Sequence, residues 1–142
     1  MGLIKIMRWS IYGLALSIVL DSTARADIVA VVSAKSQITA MDKSEVVAIF
    51  LSKARRFPNG VQAVPIDQAE GSAVRDEFYD KILGKTAAQM KAYWSKIIFT
   101  GRGQPPPSVS SDIEMKKRIS ENPVAIGYID RSLVDNSVRV VL

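Results

Sequence analysis

Cysteine and histidine are both missing from the 142 residues. Without cysteine there is no disulfide framework, no thiol nucleophile and no site for a lipid anchor on sulfur. Without histidine the chain lacks the usual general base near neutral pH and the commonest zinc ligand. Ser72 is the one hydroxyl in a suggestive setting, but Glu70-Gly71-Ser72-Ala73-Val74 lacks the second glycine of a nucleophile elbow. No Ser–Lys motif replaces it, so the sequence does not read as an enzyme. The carboxylate pairs Asp67 with Glu70 and Asp76 with Asp80 read as helix-start and solvated-face residues rather than ligands for a hard cation. No metal and no cofactor is expected.

Long apolar runs are scarce too. Residues 11–20 (IYGLALSIVL) form the clearest, and ten residues are too few to span a bilayer. Lys5 and Arg8 precede this run, and Ala24-Arg25-Ala26 follows it with small residues where a signal peptidase reads. The expectation is a signal peptide over 1–26, cleaved after Ala26, and a periplasmic chain of residues 27–142. The net charge of the whole sequence is +5. Residues 27–142 retain 16 basic and 13 acidic residues, a net charge of +3, so the basic character is partly that of the leader. The clusters Lys53-Ala54-Arg55-Arg56 and Lys116-Lys117-Arg118 read as solvated helix ends, and no nucleic-acid partner is expected. The remaining length suits one domain with one core.

Residues 27–32 (DIVAVV) read as a buried strand. Asp42-Lys43-Ser44-Glu45 is a capping box ahead of the helical stripe Val46, Val47, Phe50 and Leu51. Phe57-Pro58-Asn59-Gly60 is turn chemistry, and residues 61–66 are the second strand. A helix over 72–83 follows, with Val74, Phe78 and Ile82 on one face and Gly84 as its stop. Thr86–Gln89 and Ser111–Glu114 are two further capping boxes. Residues 124–129 and 138–142 close the chain as strands. This alternation predicts an α/β fold, a three-layer sandwich with a mainly parallel sheet of about four or five strands. Met90, Tyr93, Trp94 and Phe99 read as core at helical spacing. Thr100-Gly101-Arg102-Gly103 reads as a helix end with an exposed arginine.

The turn Asp67–Ser72 lies where α/β folds bind ligands, beyond a strand and before a helix. Free N–H groups at such a helix start carry partial positive charge and suit an anion. Ser72 also suits an N-cap, and the two roles are compatible. Asp67 and Glu70 in the same turn would repel an anion.

Three segments in order resemble the phosphate-binding proteins of ABC transporters, which are type II periplasmic binding proteins. They are residues 42–60 (DKSEVVAIFLSKARRFPNG), 64–78 (VPIDQAEGSAVRDEF) and 122–130 (NPVAIGYID). The resemblance implies one lobe of a two-lobed fold, and phosphate or another oxyanion as ligand. It implies a ligand set at Gly71, Ser72, Ala73 and Val74, with Gln68 in the place of an arginine and Arg75 one turn further on. Ala73 and Val74 replace the glycine and threonine of a Gly-Ser-Gly-Thr loop, so weak binding by a degenerate half-site is expected. An ABC permease or another periplasmic or membrane protein is the implied partner, and a homodimer would be one way to complete the site. The alternative is a periplasmic interaction module with no solute ligand.

Overall fold

The computed structural model describes residues 26–142, so the expected signal peptide lies outside the described residues except for Ala26. In chain order the elements are β1 (Ile28–Ser33), α1 (Lys43–Phe50), β2 (Val64–Pro65), β3 (Asp67–Gln68) and α2 (Ala73–Phe78). Helix α2 runs on into a π-helical turn (Tyr79–Leu83), followed by α3 (Ala87–Phe99), β4 (Ser108–Val109) and α4 (Asp112–Glu121). Strand β5 (Ala125–Asp130), a 3-10 turn (Arg131–Leu133) and β6 (Val138–Val140) complete the chain. The first two capping boxes form as expected, with Asp42 and Thr86 as reciprocal N-caps. The third is only half made. Ser111 accepts from the Glu114 N–H, but the Glu114 carboxylate is taken by the N–H and hydroxyl of Ser110, at 2.9 and 2.8 Å.

The main sheet has the order β2-β5-β1-β6. Strands β2, β5 and β6 share one direction, because β2 is parallel to β5 and both β5 and β6 are antiparallel to β1. Of the expected mainly parallel sheet only the β2–β5 pairing is parallel; both pairings of β1 are antiparallel, so the sheet is mixed. Residues 34–41 accommodate the reversal of β1. The Arg139 guanidinium donates to the carbonyls of Ala34, Ser36 and Ile38 at 3.1, 2.7 and 2.9 Å. Met41 N–H then donates to Val141 O, which lies level with Ala30. This loop carries the chain back along β6 before α1 begins. One pass by α1 therefore brings the chain into β2 running against β1.

Side chains alternate along β1. Ile28, Ala30 and Val32 join Ile126 and Tyr128 against α1, α2 and α3, whereas Val29 and Val31 join Ala125 and Ile129 against Met115 and Ile119 of α4. Helices therefore cover both faces, and each fully buried aliphatic or aromatic side chain contributes about 1.5–3 kcal/mol. Gly127 on β5 lets α4 approach, since a Cβ there would lie 2.5 Å from Met115 Sδ.

The second strand is shorter than expected. Val64 and Ile66 N–H groups donate to Val124 O and Ile126 O, while Pro65 turns its missing donor outward, which an edge strand tolerates. Beyond Ile66 the chain leaves β5, and β3 pairs with β4 in parallel. Phe99 also departs from expectation. It lies five residues beyond Trp94, about 140° round the helix, and is 93% exposed.

Candidate functional site

The switch of β-partner at Ile66 places the Asp67–Ser72 turn. Asp67 N–H donates to Pro107 O and Ala69 N–H to Val109 O, both at 2.8 Å, so the segment after Pro105-Pro106-Pro107 holds the turn on one side. Gly71 takes φ +87°, a left-handed conformation suited to glycine, and turns the chain into α2. Ser72 is the N-cap, accepting from the Arg75 N–H at 3.3 Å. The cap predicted for Ser72 is present.

Behind this turn lies a buried polar network. Asp67 is 6% and Gln68 2% exposed, and both are enclosed by Tyr79 and Tyr128. The Tyr79 hydroxyl donates to Asp67 Oδ2 at 2.5 Å. The Tyr128 hydroxyl and the Gln68 N–H both donate to Oδ1, the latter at 2.8 Å. Burial, reinforced by the Asp67 charge, raises both phenols well above the ordinary tyrosine value, so they remain protonated donors. The π-helical turn places Tyr79 in this network, while Tyr128 reaches it from β5, stacked on Phe78 with ring centroids 3.8 Å apart.

Gln68 is satisfied on every side. Its amide nitrogen donates to Asp112 Oδ1 and, at 3.2 Å, to Tyr128 O. Its Oε1 accepts from the Ser72 hydroxyl at 3.1 Å. Asp112 in turn accepts from Asp130 N–H, so the start of α4 is tied to β5 and to the turn. The proton of Ser72 is thus committed within the chain.

Arg75 is anchored to Tyr79, four residues further on. Its Nε donates to the Tyr79 hydroxyl at 2.8 Å and lies 3.8 Å from Asp67 Oδ2, and its guanidinium sits over the Tyr79 ring. Burial works against the charge, but the Tyr79 bond and the Asp67 carboxylate outweigh it and hold the pKa above the ordinary arginine value. Arg75 and Glu70 border a groove of 450 Å³ whose other walls include Lys91, Trp94, Ile98 and Pro105.

The six residues expected at the site are thus brought together around one turn, but not on one surface. Gly71 and Ala73 are exposed, Ser72, Val74 and Arg75 are half-buried, and Gln68 faces inward. Asp67, expected to repel an anion from the turn, instead spends its carboxylate on two phenols and an amide. Tyr79, Tyr128 and Asp112 were not identified as members from the sequence. The available signals were faint: Tyr79 beside the Phe78 stripe, and Tyr128 after a glycine in an otherwise apolar strand. Among the described residues no group of three or more acidic side chains is placed to hold a metal ion. No helix among them is long and apolar enough to cross a membrane.

Neither family models nor curated proteins match the chain. Solved structures do. A Clostridium perfringens protein classed with phosphate ABC transporter substrate-binding proteins, solved with phosphate bound, is 22% identical with a TM-score of 0.61. An ABC-type phosphate transport receptor from Vibrio cholerae is 16% identical with a TM-score of 0.62, and PstS from Borrelia burgdorferi 16% with 0.60. In each case 80% of this chain is covered, but only 43%, 44% and 46% of the respective neighbours. The chain therefore shares the fold of part of these proteins and spans less than half of their length. The neighbours are transport binding proteins by name, not enzymes.

Proposed function

We propose that this chain is an exported, periplasmic, solute-binding-like protein that takes phosphate or a related oxyanion weakly and serves an ABC transporter. On this reading residues 27–142 are a single domain, a three-layer lobe of the type II periplasmic binding protein kind, and no catalysis is involved. The observation that carries it is the Ser72 helix start beside an anchored Arg75, on a fold shared with phosphate-binding proteins. The Ala73 and Val74 N–H groups and the terminal nitrogens of Arg75 are the donors for the anion. Ser72 contributes only when its hydroxyl leaves Gln68. Asp67 already balances the Arg75 charge, and Glu70 borders the same groove. A half-site of this kind binds in the millimolar range, about −4 kcal/mol. A permease, or a second copy of the chain in a homodimer, supplies whatever closes it.

Isothermal titration with phosphate, sulfate and molybdate tests this reading. Saturable heat that disappears in Arg75→Ala and weakens in Ser72→Ala is expected. Heat equal to dilution at ten millimolar phosphate, in monomer and dimer fractions alike, would leave the alternative of a periplasmic interaction module without a solute. That second reading is favoured by the apolar groups bared beyond the turn, Phe99 at 93% and Ile113 at 72% exposure.

A further inference from the structure

The other flank of α3 carries a second cleft, of 490 Å³, lined by Ser52, Lys53, Tyr93, Lys96, Ile97 and Arg102 together with Leu51. Its three charged residues are all cationic. They come from two stretches far apart in sequence. Between Glu45 and Asp67 the chain has Lys53, Arg55 and Arg56 and no acid. Between Asp80 and Asp112 it has Lys81, Lys85, Lys91, Lys96 and Arg102 and again no acid.

The same backbone device presents the cations from both sides. Helix α1 ends in a Schellman motif, with Ser52 N–H donating to Ile49 O and Lys53 N–H to Ala48 O. Helix α3 ends in another, with Gly101 N–H donating to Ile98 O and Arg102 N–H to Ile97 O. Lys53 and Arg102 are thus equivalent positions of two helix ends facing one cleft. Ser52 adopts φ +57° to make its turn, the sole non-glycine residue with positive φ among those described. The Tyr93 hydroxyl, from the middle of α3, ties the end of α1 to that helix by donating to Leu51 O at 2.7 Å.

Cations near helix C-termini often serve only to complement the helix dipole and its last carbonyls. Here several of those carbonyls already have partners within the chain. Leu51 O is held by Tyr93, Lys96 O by the Thr100 hydroxyl, and Ile97 O by Arg102 N–H. The ion pairs among the described residues involve Arg75, Lys81, Lys116, Arg118 and Arg131, and none of the cleft cations.

We infer that this cleft is a second anion site, separate from the Ser72 turn, for a multiply charged phosphate compound such as a diphosphate or phosphate ester. Three cations match the charge of such a ligand, the arginine fork suits its oxygens, and Leu51, Tyr93 and Ile97 form a less polar wall. The ligand is either soluble or the headgroup of an anionic phospholipid.

The intact protein, ¹⁵N-labelled, is titrated with inorganic pyrophosphate and with citrate at 0.15 M salt. Pyrophosphate should shift the amides of Ser52, Lys53, Gly101 and Arg102. The double variant Lys53→Ala/Arg102→Ala should weaken binding at least tenfold, whereas Ser72→Ala changes it less than twofold. Arg102→Lys should lie between. A parallel arm sediments the protein with phosphatidylglycerol vesicles and with neutral phosphatidylcholine vesicles. Sedimentation with the former alone, lost in the double variant and without a response to soluble pyrophosphate, assigns the cleft to lipid headgroups. The inference is overturned if neither probe binds, if binding survives the double variant, or if shifts are confined to the Ser72 turn. Citrate binding as tightly as pyrophosphate also overturns it.

Discussion

Removing the Asp67 carboxylate should destabilise the protein by about 3–5 kcal/mol, the range for breaking a buried charged pair. The magnitude follows from what is left behind. In Asp67→Ala the hydroxyls of Tyr79 and Tyr128, both in residues at most 1% exposed, lose their acceptor. Each buried donor without a partner costs about 1–3 kcal/mol. Arg75 also loses its nearest carboxylate, at 3.8 Å, with a side chain only 18% exposed. Against a total stability of about 5–15 kcal/mol such a loss is large. Urea unfolding followed by the fluorescence of buried Trp94 measures it. With a slope of about 2 kcal/mol/M the midpoint should fall by about 2 M. Tyr128→Phe is the control, because it removes one hydroxyl and keeps the ring stacked on Phe78. It should cost about 1.5–3 kcal/mol, the net value of a hydrogen bond to a charged group. The double variant should lose less than the sum of the two, since both substitutions break the same bond. A loss below 1 kcal/mol in Asp67→Ala, or strict additivity in the cycle, would refute the view that this carboxylate organises the network.

Alkali should unfold the protein through the same tyrosines. Their folded pKa values are raised, so their contribution is complete below the ordinary value of 10 and declines above it as the unfolded chain ionises first. Each loses up to about 1.4 kcal/mol per pH unit there, and stability measured from pH 9 to 11 should fall less steeply in Tyr128→Phe. An equal slope in both proteins would show that Tyr128 is not shielded. Gly127→Ala should cost about 1–3 kcal/mol, as overpacking does, because its Cβ meets Met115 Sδ; an unchanged melting temperature would mean that α4 yields freely. Ser52→Gly should stabilise by about 1 kcal/mol by relieving a left-handed serine at the end of α1. A lower melting temperature in this variant would reveal a contact of the serine side chain that outweighs the strain.

The division between what could be read from the sequence and what could not follows the range of the interactions. The caps at Asp42, Ser72 and Thr86, the stop at Gly84 and the apolar run of β1 are local. Each depends on residues within about four positions, or on an unbroken apolar stretch, and those are written along the chain. The helix start at Ser72 belongs to this class, and with it the position of the candidate site.

The direction of β1 does not, since it is fixed by antiparallel pairing with β5 and β6, about a hundred residues later in the chain. Whether Asp67 faces a ligand or the interior does not either. That was decided by Tyr79, carried inward by a π-helical turn, and by Tyr128, delivered from β5 with Gly127 making room for the helix behind it. The sequence likewise held two basic motifs that read as separate helix ends. Only the tertiary structure brought Lys53 and Arg102 to one cleft, because two stretches about fifty residues apart become neighbours only when their helices pack.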